Sequence, residues 1–332
     1  MDYVKLGLIS FLVSLLGAWA FIRAARRWGL GQRIRDYGPQ IHAEKAGTPT
    51  MGGSVILITF VSIVLSTWLG EGQLSSRAIL LLGATLGFGG IGLADDLIGL
   101  MRRRSLGLPI RDKLLLQLGL SLALWWGLRL AHVPATMKIP FADGWLELPL
   151  LPYALLVVFV LLGTTNAMNL TDGLDGLAAG VTLIMLLPFL WLLRGEPGLL
   201  RMIIILGGAL LGFLWFNSYP AQVFLGDTGS LALGGFIAML ALLSGTALVL
   251  PLLGGVLVVE ALSVILQVAS FRLFGVRIFK VSPLHHHFEH AEGVDYKFLL
   301  ANREWPEPKI TVRFWIAAAV FALLGWWALT LT

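Results

Sequence analysis

Residues 151–176 read LPYALLVVFVLLGTTNAMNLTDGLDG, an apolar run that ends in a cluster of Asn, Asp and Gly. A helix needs about 20 mostly apolar residues to cross the hydrocarbon core of a bilayer. The run from 151 to 167 approaches that length, and the polar residues begin where such a helix would leave the membrane. This stretch therefore predicts a membrane-spanning helix with a functional segment at one end.

The rest of the chain repeats this pattern. Of its 332 residues, 57% are hydrophobic and only 13% are charged, whereas a soluble domain has roughly 25% charged residues. Nine further apolar runs predict spans at 5–22, 51–70, 78–94, 114–130, 176–193, 200–216, 230–248, 250–271 and 314–331. We therefore predict an all-α polytopic membrane protein with about ten transmembrane helices, forming a single integral membrane domain over residues 1–332.

The distribution of basic residues predicts the orientation. Of the 24 Lys and Arg residues, 18 fall in the segments 23–50, 95–113 and 272–313, and loops on the cytoplasmic side carry an excess of such residues. These segments, with the connections at 168–175 and 217–229, are predicted to face the cytoplasm, and both termini to lie outside. The same asymmetry accounts for the net charge of +5. No zinc-ligand or aromatic-rich RNA-binding motif supports a nucleic-acid partner.

Several Asp residues stand where apolar runs begin or end. Asp172, Asp175 and Asp227 precede predicted spans, where an acid is stabilised by the helix dipole by about 0.3–1 kcal/mol and can cap free N–H groups. Capping alone would explain these three. Asp95 and Asp96 instead close a predicted span, where the dipole disfavours them.

An adjacent pair of carboxylates at that position requires a compensating cation. Like charges about 4 Å apart repel by roughly 4 kcal/mol at an effective dielectric constant of 20. The arginines at 102–104 are one candidate for the cation, and a hard divalent ion such as Mg²⁺ is the other.

Three polar, glycine-containing segments are predicted on the cytoplasmic face. In the first, polar side chains recur at every third position, at Asn166, Asn169, Asp172 and Asp175. A helical segment would align them as one stripe, but Gly173 and Gly176 favour tight turns that let a ligand approach the backbone. The segment 224–230 sets glycines around an Asp just ahead of a helix start, where N–H groups favour anions. The segment 48–53 is the third.

Polar residues near the ninth predicted span extend this candidate site. Glu260 and Gln267 lie within the span, seven residues apart and so on one helix face. Intramembrane polar residues are functional candidates, although a hydrogen bond between helices would also explain Gln267. The histidines at 285–287 are candidates for metal ligation or phosphate binding, and a polar, partly buried loop is the alternative.

Seven motifs together carry a family resemblance, in order along nearly the whole chain. They are PTMGG at 49–53, the Asp pair at 95–96, NAMNLTDGLDGL at 166–177, Asn217 with Pro220 and Ala221, FLGDTGS at 224–230, PLHHHFE at 283–289 and WPEP at 305–308. In these motifs the chain resembles the polyprenyl-phosphate N-acetylhexosamine 1-phosphate transferase superfamily, and within it the branch that transfers phospho-MurNAc-pentapeptide.

The resemblance implies a ten-span enzyme of the bacterial inner (plasma) membrane with its active site facing the cytoplasm. Such an enzyme moves phospho-MurNAc-pentapeptide from UDP-MurNAc-pentapeptide to undecaprenyl phosphate, giving lipid I and UMP, with Mg²⁺ as cofactor. The implied partners are these two substrates and the lipid bilayer. The sequence leaves the oligomeric state open, with a homodimer as one expectation.

The resemblance also implies roles for individual residues. Asp227 would bind Mg²⁺, and Asp95 and Asp96 would be an essential pair near the phosphates. Asn166, Asn169, Asp172 and Asp175 would line the nucleotide pocket, with Leu170, Phe224 and Gln267 around uracil and ribose. The phosphates or the muramoyl peptide would be served by Lys45, Lys113, His285, His286 and His287. Asn217 completes the predicted substrate-binding set.

The chain departs from the family pattern in two places. The family has a Lys three residues after the Asp pair, where this chain has Gly99. We therefore expect that charge to be dispensable or supplied by Arg102 or Arg103. The loop between Glu289 and Trp305 is also longer than expected, so family contacts there cannot be transferred.

Three alternatives to this function stay open from the sequence alone. A sister transferase that uses UDP-GlcNAc is the nearest, and the histidine run argues for the muramoyl branch. A CDP-alcohol phosphotransferase shares the spacing from Asp172 to Ala179, but Gly180 replaces its Arg. A transporter of an anionic or lipid-linked solute would place charges near the bilayer midplane, often in repeated halves, whereas these acids gather at one edge.

Overall fold

The computed structural model describes residues 2–28, 47–71, 74–102, 107–290 and 296–330. Helices dominate the described chain, and a short hairpin is its one two-stranded sheet. The elements in chain order are α1 (Tyr3–Trp28), α2 (Gly53–Glu71), α3 (Ser76–Arg102), α4 (Ile110–Leu130), β1 (Thr136–Lys138), β2 (Trp145–Glu147), α5 (Leu150–Thr171), α6 (Leu177–Leu192), α7 (Pro197–Asn217), α8 (Gly226–Leu243), α9 (Leu250–Leu253), α10 (Gly255–Phe274), α11 (Leu284–His287) and α12 (Glu307–Thr330).

The prediction of an all-α polytopic membrane protein is confirmed. Within the described residues, eight helices are long and apolar enough to cross a membrane, and α6 is a shorter apolar helix. Each of the ten predicted spans overlaps a helix. Eight of the spans overlap the eight long apolar helices, and the other two overlap α4 and α6. The number of crossings and the orientation stay predictions.

Helix α8 lies at the centre of the bundle. Every residue from Thr228 to Leu243 is buried, whereas α1 exposes large apolar residues such as Leu8 and Leu16. The packing partners of α8 include α3, α5, α2 and α6. Because α8 is enclosed by other helices, its first turn is held at a fixed place among their polar ends.

The close packing of α3 on α8 depends on Gly92. A Cβ atom at this position would overlap the carbonyl group of Asp227. The absence of a side chain lets the backbone at the start of α8 lie directly against α3. This approach brings the Asp pair of α3 to the first turn of α8.

Helix α3 is longer than predicted. It continues to Arg102, past the predicted end at residue 94, so Asp95 and Asp96 lie within the helix and do not end it. The prediction that they close the span is therefore wrong. Their carboxylates find partners on α8 and α4, and the helix continues because those distant groups compensate the acids.

Turns at one end of the bundle meet as the sequence predicts. Helix α5 runs to Thr171, so Asn166 and Asn169 are helical, and residues 172–176 form tight turns that end at Gly176 with a φ of 75°. The segment 48–53 pairs with residues 224–225: the N–H groups of Gly52 and Gly53 donate to the carbonyls of Phe224 and Leu225, each at 2.8 Å. The outer β1–β2 hairpin, by contrast, was not predicted.

Candidate active site

Two carboxylates from other segments cap the first turn of α8. Asp96 on α3 accepts hydrogen bonds from the backbone N–H of Thr228 (2.9 Å), the Thr228 hydroxyl (2.6 Å) and the Asp227 N–H (3.2 Å). Asp172 accepts a hydrogen bond from the Gly226 N–H. The prediction that this helix start offers free N–H groups to an anion is therefore wrong, because carboxylates of the protein occupy them.

Asp227 and Asp95 share one lysine. The Lys113 ammonium group donates to one carboxylate oxygen of Asp227 and lies 3.6 Å from Oδ1 of Asp95. The backbone N–H of Leu108 donates to the same Asp95 oxygen at 3.2 Å. The cation that the structure places beside the Asp pair thus comes from α4, three residues into the helix.

This position of Lys113 bears on the missing family Lys. Gly99 lies half-buried one helical turn beyond the Asp pair, and Arg102 is exposed at the end of α3. Arg103, the other proposed substitute, lies outside the described residues, as does Lys45. Within the described chain, Lys113 is the basic side chain that contacts Asp95 and Asp227.

The electrostatic environment favours a neutral Asp172. Burial raises the pKa of this carboxyl well above its ordinary value, and the negative charges of Asp227 and Asp96 raise it further. The hydrogen bond from Gly226 lowers the pKa and only partly opposes these effects. A repulsive field of this kind arises where carboxylates outnumber cations.

The donor set fits Mg²⁺ bound together with a phosphate substrate. Mg²⁺ is commonly held by one or two carboxylates, keeps several waters and completes its shell with substrate phosphates. Asp95 and Asp227 converge on a single cationic group, the Lys113 ammonium, which marks a position where two carboxylates meet a positive charge. Within the described residues, no three His, Cys, Asp or Glu side chains form a ready-made metal cage.

The four members of the predicted polar stripe have different surroundings. Asn169 belongs to the acidic cluster, because its amide nitrogen donates to Oδ1 of Asp227 (2.8 Å) and to the Ser230 hydroxyl (2.9 Å). Asn166 is one turn earlier, and its amide donates to the side-chain oxygen of Gln117 at 2.8 Å. The stripe therefore reaches the acidic cluster through Asn169 and Asp172.

Asp175 and Asn217 hold backbone turns together. Oδ2 of Asp175 accepts a hydrogen bond from the Ala221 N–H at 2.8 Å. The side-chain oxygen of Asn217 accepts from the Gly176 N–H at 3.2 Å, and its amide donates to the carbonyl of Val223 at 2.9 Å. Both side chains are buried, so they fix the turns that precede α6 and α8.

Leu170 and Phe224, predicted around the uracil and ribose, are both half-buried. Leu170 directly follows Asn169 in the last turn of α5. The backbone N–H of Phe224 donates to the carbonyl of Pro49 at 2.8 Å, where the segment 48–53 meets the start of α8. Both residues therefore lie next to the acidic cluster along the chain, with surface left for a ligand.

Gln267 is separate from the acidic cluster. Its side-chain oxygen accepts hydrogen bonds from the N–H groups of Ile278 and Phe279, each at 2.9 Å, and its amide donates to the Phe279 carbonyl. It also lines a cavity of about 420 Å³ at the end of α10, together with Arg272 and Arg277. None of the acidic residues of the α8 cluster lines this cavity.

The three histidines are in unequal environments. His285 and His287 are buried at 0% and 2% exposure, whereas His286 is partly exposed and contacts the Glu289 carboxylate through Nδ1. Nδ1 of His287 accepts a hydrogen bond from the Lys280 N–H at 3.0 Å. Of the predicted run, His286 is thus the member with surface available to a substrate.

The pKa values of two histidines are shifted in the same direction. Burial lowers the pKa of His286, and the adjacent His285 lowers it further, against the raising effect of Glu289. Burial also lowers the pKa of His287. Desolvation disfavours the charged imidazolium, so this turn is poor at presenting fixed positive charge to a phosphate at neutral pH.

Several contact residues were not predicted. Thr228 and Ser230 lie inside the FLGDTGS motif, so their hydroxyl groups were a detectable signal. Gln117 lies inside an apolar run and offered a weaker one. Glu307, whose carboxylate accepts from the Asp175 N–H at 2.8 Å, belongs to the WPEP motif and shows how α12 reaches the site.

The fold and the site together define a multi-pass membrane transferase. A family model, Glycosyl transferase family 4, matches residues 78–245, which include the Asp pair, the polar stripe and Asp227.

Curated relatives specify the family further. A phospho-N-acetylmuramoyl-pentapeptide-transferase of Caldanaerobacter subterraneus subsp. tengcongensis is 42% identical over 331 residues, or 97% of each chain. Proteins of the same name are 46% identical over 314 residues in Heliobacterium modesticaldum (94% of this chain, 92% of that protein) and 43% identical over 319 residues in Geobacillus kaustophilus (96% and 94%). This chain belongs to the phospho-N-acetylmuramoyl-pentapeptide-transferase family.

Proposed function

We propose that the protein transfers phospho-MurNAc-pentapeptide from UDP-MurNAc-pentapeptide to undecaprenyl phosphate, giving lipid I and UMP. The observation that carries this proposal is the convergence of Asp95, Lys113 and Asp227, from three different helices, in a chain of this family. The proposed location is the bacterial plasma membrane, with the acidic cluster on the cytoplasmic face, because the segments predicted to be cytoplasmic carry most of the basic residues of the sequence.

The reaction joins two anions beside acidic side chains. An oxygen of the lipid phosphate attacks the sugar-bound phosphorus, and the bond from that phosphorus to the UMP oxygen breaks. Asp227 is the residue that would hold Mg²⁺, which would neutralise charge on the diphosphate and on the leaving UMP. Lys113, already between the carboxylates of Asp227 and Asp95, is placed to contact a substrate phosphate in turn.

The members of the Asp pair have different proposed roles. The hydrogen bonds of Asp96 go to the first turn of α8, so this residue positions Asp227. Asp95 instead contacts the Lys113 side chain and is the better candidate to orient the lipid phosphate or accept its last proton. An alkyl phosphate has a second pKa of about 6, so base catalysis contributes modestly and direct attack is the favoured route.

The remaining predicted residues contribute to donor binding in this proposal. Asn169 fixes one oxygen of Asp227, and Leu170 and Phe224 offer half-buried apolar surface for the nucleoside. His286 is the accessible member of the histidine run and would contact the phosphate or the muramoyl peptide. Positioning and electrostatics of this kind provide most of the rate in phosphoryl transfer.

A UMP-release assay on the detergent-purified protein tests the proposal. Undecaprenyl phosphate is supplied with UDP-MurNAc-pentapeptide or UDP-GlcNAc, each with and without Mg²⁺. We expect release only with the muramoyl donor and Mg²⁺. Release with UDP-GlcNAc would establish the sister activity instead, and no release with either donor would favour a transporter. Light scattering of the same sample tests the accompanying proposal of a homodimer.

A further inference from the structure

We propose that Glu260 is a positioning residue that braces the histidine turn against the Asp172–Asp175 turn through His285. The inference deepens the proposed function, since it concerns the same active site. It rests on two contacts in series, from Glu260 on α10 to His285 on α11 and from His285 to Gly173.

The first contact is a buried pair within the membrane domain. Oε2 of Glu260 lies 3.2 Å from Nδ1 of His285, and both side chains have 0% exposure. The same oxygen lies 3.5 Å from the His285 backbone nitrogen, and the Leu284 N–H also donates to the carboxylate. Glu260 therefore holds both the ring of His285 and the start of α11.

The described contacts of the Glu260 carboxylate are with the histidine turn. Its other oxygen, Oε1, has no hydrogen-bond partner among the described residues. A carboxylate buried without a partner is strongly unfavourable, so its described contacts with the turn are what stabilise it inside the bundle. The Glu260–His285 pair is thus a constraint on the position of α11 relative to α10.

The second contact transmits that constraint to the acidic cluster. The His285 ring lies against Gly173, where a Cβ atom would overlap Nε2 of the imidazole. Gly173 directly follows Asp172, which accepts from the first N–H of α8. With His285 completely buried, its ring fills the space between Glu260 and this turn and is not a surface for the substrate.

A double-mutant cycle on Glu260 and Gly173 tests the brace. Glu260→Ala removes the support behind His285, and Gly173→Ala pushes the ring from the other side. Each is expected to lower kcat for UMP release by about 100-fold, the cost of a small displacement of reacting groups, and to raise the donor KM, because the displaced turn carries Asp172 and Asp175. Because both act through His285, the double variant should lose little more than the worse single variant.

Conservative and control variants complete the cycle. Glu260→Gln keeps the volume and an acceptor oxygen, so we expect it to retain about a tenth or more of kcat. Ser263→Ala removes a buried hydroxyl on the same helix that bonds only its own backbone, at 2.7 Å to the Glu260 carbonyl. As a single variant, Ser263→Ala should leave kcat unchanged. Combined with Gly173→Ala, it should give a kcat equal to that of Gly173→Ala alone. Glu260→Met replaces Glu260→Ala if the latter does not extract as a folded species.

Amide hydrogen exchange gives a readout that does not depend on turnover. In Glu260→Ala, exchange should accelerate both in the histidine turn at 284–288 and in the distant turn at 172–177. The brace would be overturned by any of three results. These are unchanged exchange at 172–177, a near-normal kcat in Glu260→Ala, and a double variant whose loss of kcat is the product of the two single losses. Absence of UMP release from the unmodified protein would overturn the proposed function and leave the exchange result to decide the brace.

Discussion

The acidic cluster at the start of α8 and the histidine turn at 284–290 differ in how their charges are balanced. In the acidic cluster, Asp95 and Asp227 share one described ammonium group, that of Lys113, while Asp96 and Asp172 accept hydrogen bonds from the start of α8. In the histidine turn each acid has its own basic partner. The pairs are Glu260 with His285, Glu289 with His286, and Glu304 with Lys280 and His290.

On the basis of this difference we propose that a further cation binds at the acidic cluster. Gathered carboxylates repel one another, and a hard metal ion is the usual remedy. In the histidine turn, each of these acids already has a partner of its own. We therefore assign Mg²⁺ to the acidic cluster in the proposed reaction and a scaffold role to most of the histidine turn.

The largest expected effect comes from changing the charge at the acidic cluster. Asp227→Asn keeps the shape of the side chain but weakens its attraction for Lys113 and for Mg²⁺, so UMP release should fall by about 1,000-fold. The fold should survive, as judged by size-exclusion chromatography in detergent. Asp143→Asn on the exposed outer hairpin is the matched control. Comparable activity of the two variants would place the chemistry elsewhere.

Next in size is the effect of separating α3 from α8. Gly92→Ala would force a methyl group onto the Asp227 carbonyl, and overpacking of this kind costs about 1–3 kcal/mol. We expect a lower Tm together with lost activity. Gly90→Ala is a control on the same helix, where a Cβ atom meets nothing within 4 Å. Equal Tm values for the two variants would show that the close approach is unimportant.

A smaller effect separates the two members of the Asp pair. Asp96→Ala removes the acceptor for three donors at the start of α8, and loss of a helix cap costs about 0.5–2 kcal/mol. Asp95→Ala removes no such cap. Both variants should lose turnover, but thermal unfolding should show the lower Tm for Asp96→Ala. The reverse order would contradict the positioning role of Asp96.

The smallest effect is expected at the rim of the histidine turn. Hydrogen bonds from Lys280 and His290 lower the pKa of the Glu304 carboxyl. A depressed pKa means that the ion pair stabilises the fold above the ordinary pKa of Glu, and that this contribution is lost as the pH falls through the lowered value. Glu304 itself is exposed, and the buried Lys280 keeps its hydrogen bond to the Glu289 carbonyl, so Glu304→Gln should cost about 0–1 kcal/mol.

The prediction for Glu304 is tested by measuring the Tm of Glu304→Gln and of the unmodified protein at neutral and acidic pH. The difference between the two proteins should shrink on acidification. If the difference in Tm grows instead, Glu304 does not act on stability through its ionised carboxylate.

The sequence was sufficient to predict the helices and the meeting of the acidic residues at the start of α8. Long apolar runs are a strong signal, and the predicted convergence of Asp95, Asp96 and Asp227 is confirmed by their shared contacts with Lys113 and the first turn of α8. The resemblance placed Lys113 in the site but did not predict that it pairs with these acids.

Partners far apart along the chain were the part that could not be predicted. Asp96 caps Asp227 and Thr228, which lie 131 and 132 positions further along the chain. Nothing in the neighbouring sequence distinguishes such a cap from a catalytic acid. The end of α3 was misplaced for the same reason: hydropathy falls at residue 95, but tertiary hydrogen bonds let the helix continue to Arg102. The different surroundings of the three histidines likewise depend on burial, which the sequence does not show.

The complete enclosure of α8 has a consequence for how the membrane acts on the protein. Since no side chain from Thr228 to Leu243 is exposed, lipid cannot press on the helix that carries Asp227. Stretching or thinning of the bilayer reaches this acid only by displacing the helices around α8, among them α2, α3, α5 and α6. Rates measured in membranes of different thickness should accordingly report the arrival of the prenyl carrier, with the geometry of the acids held constant.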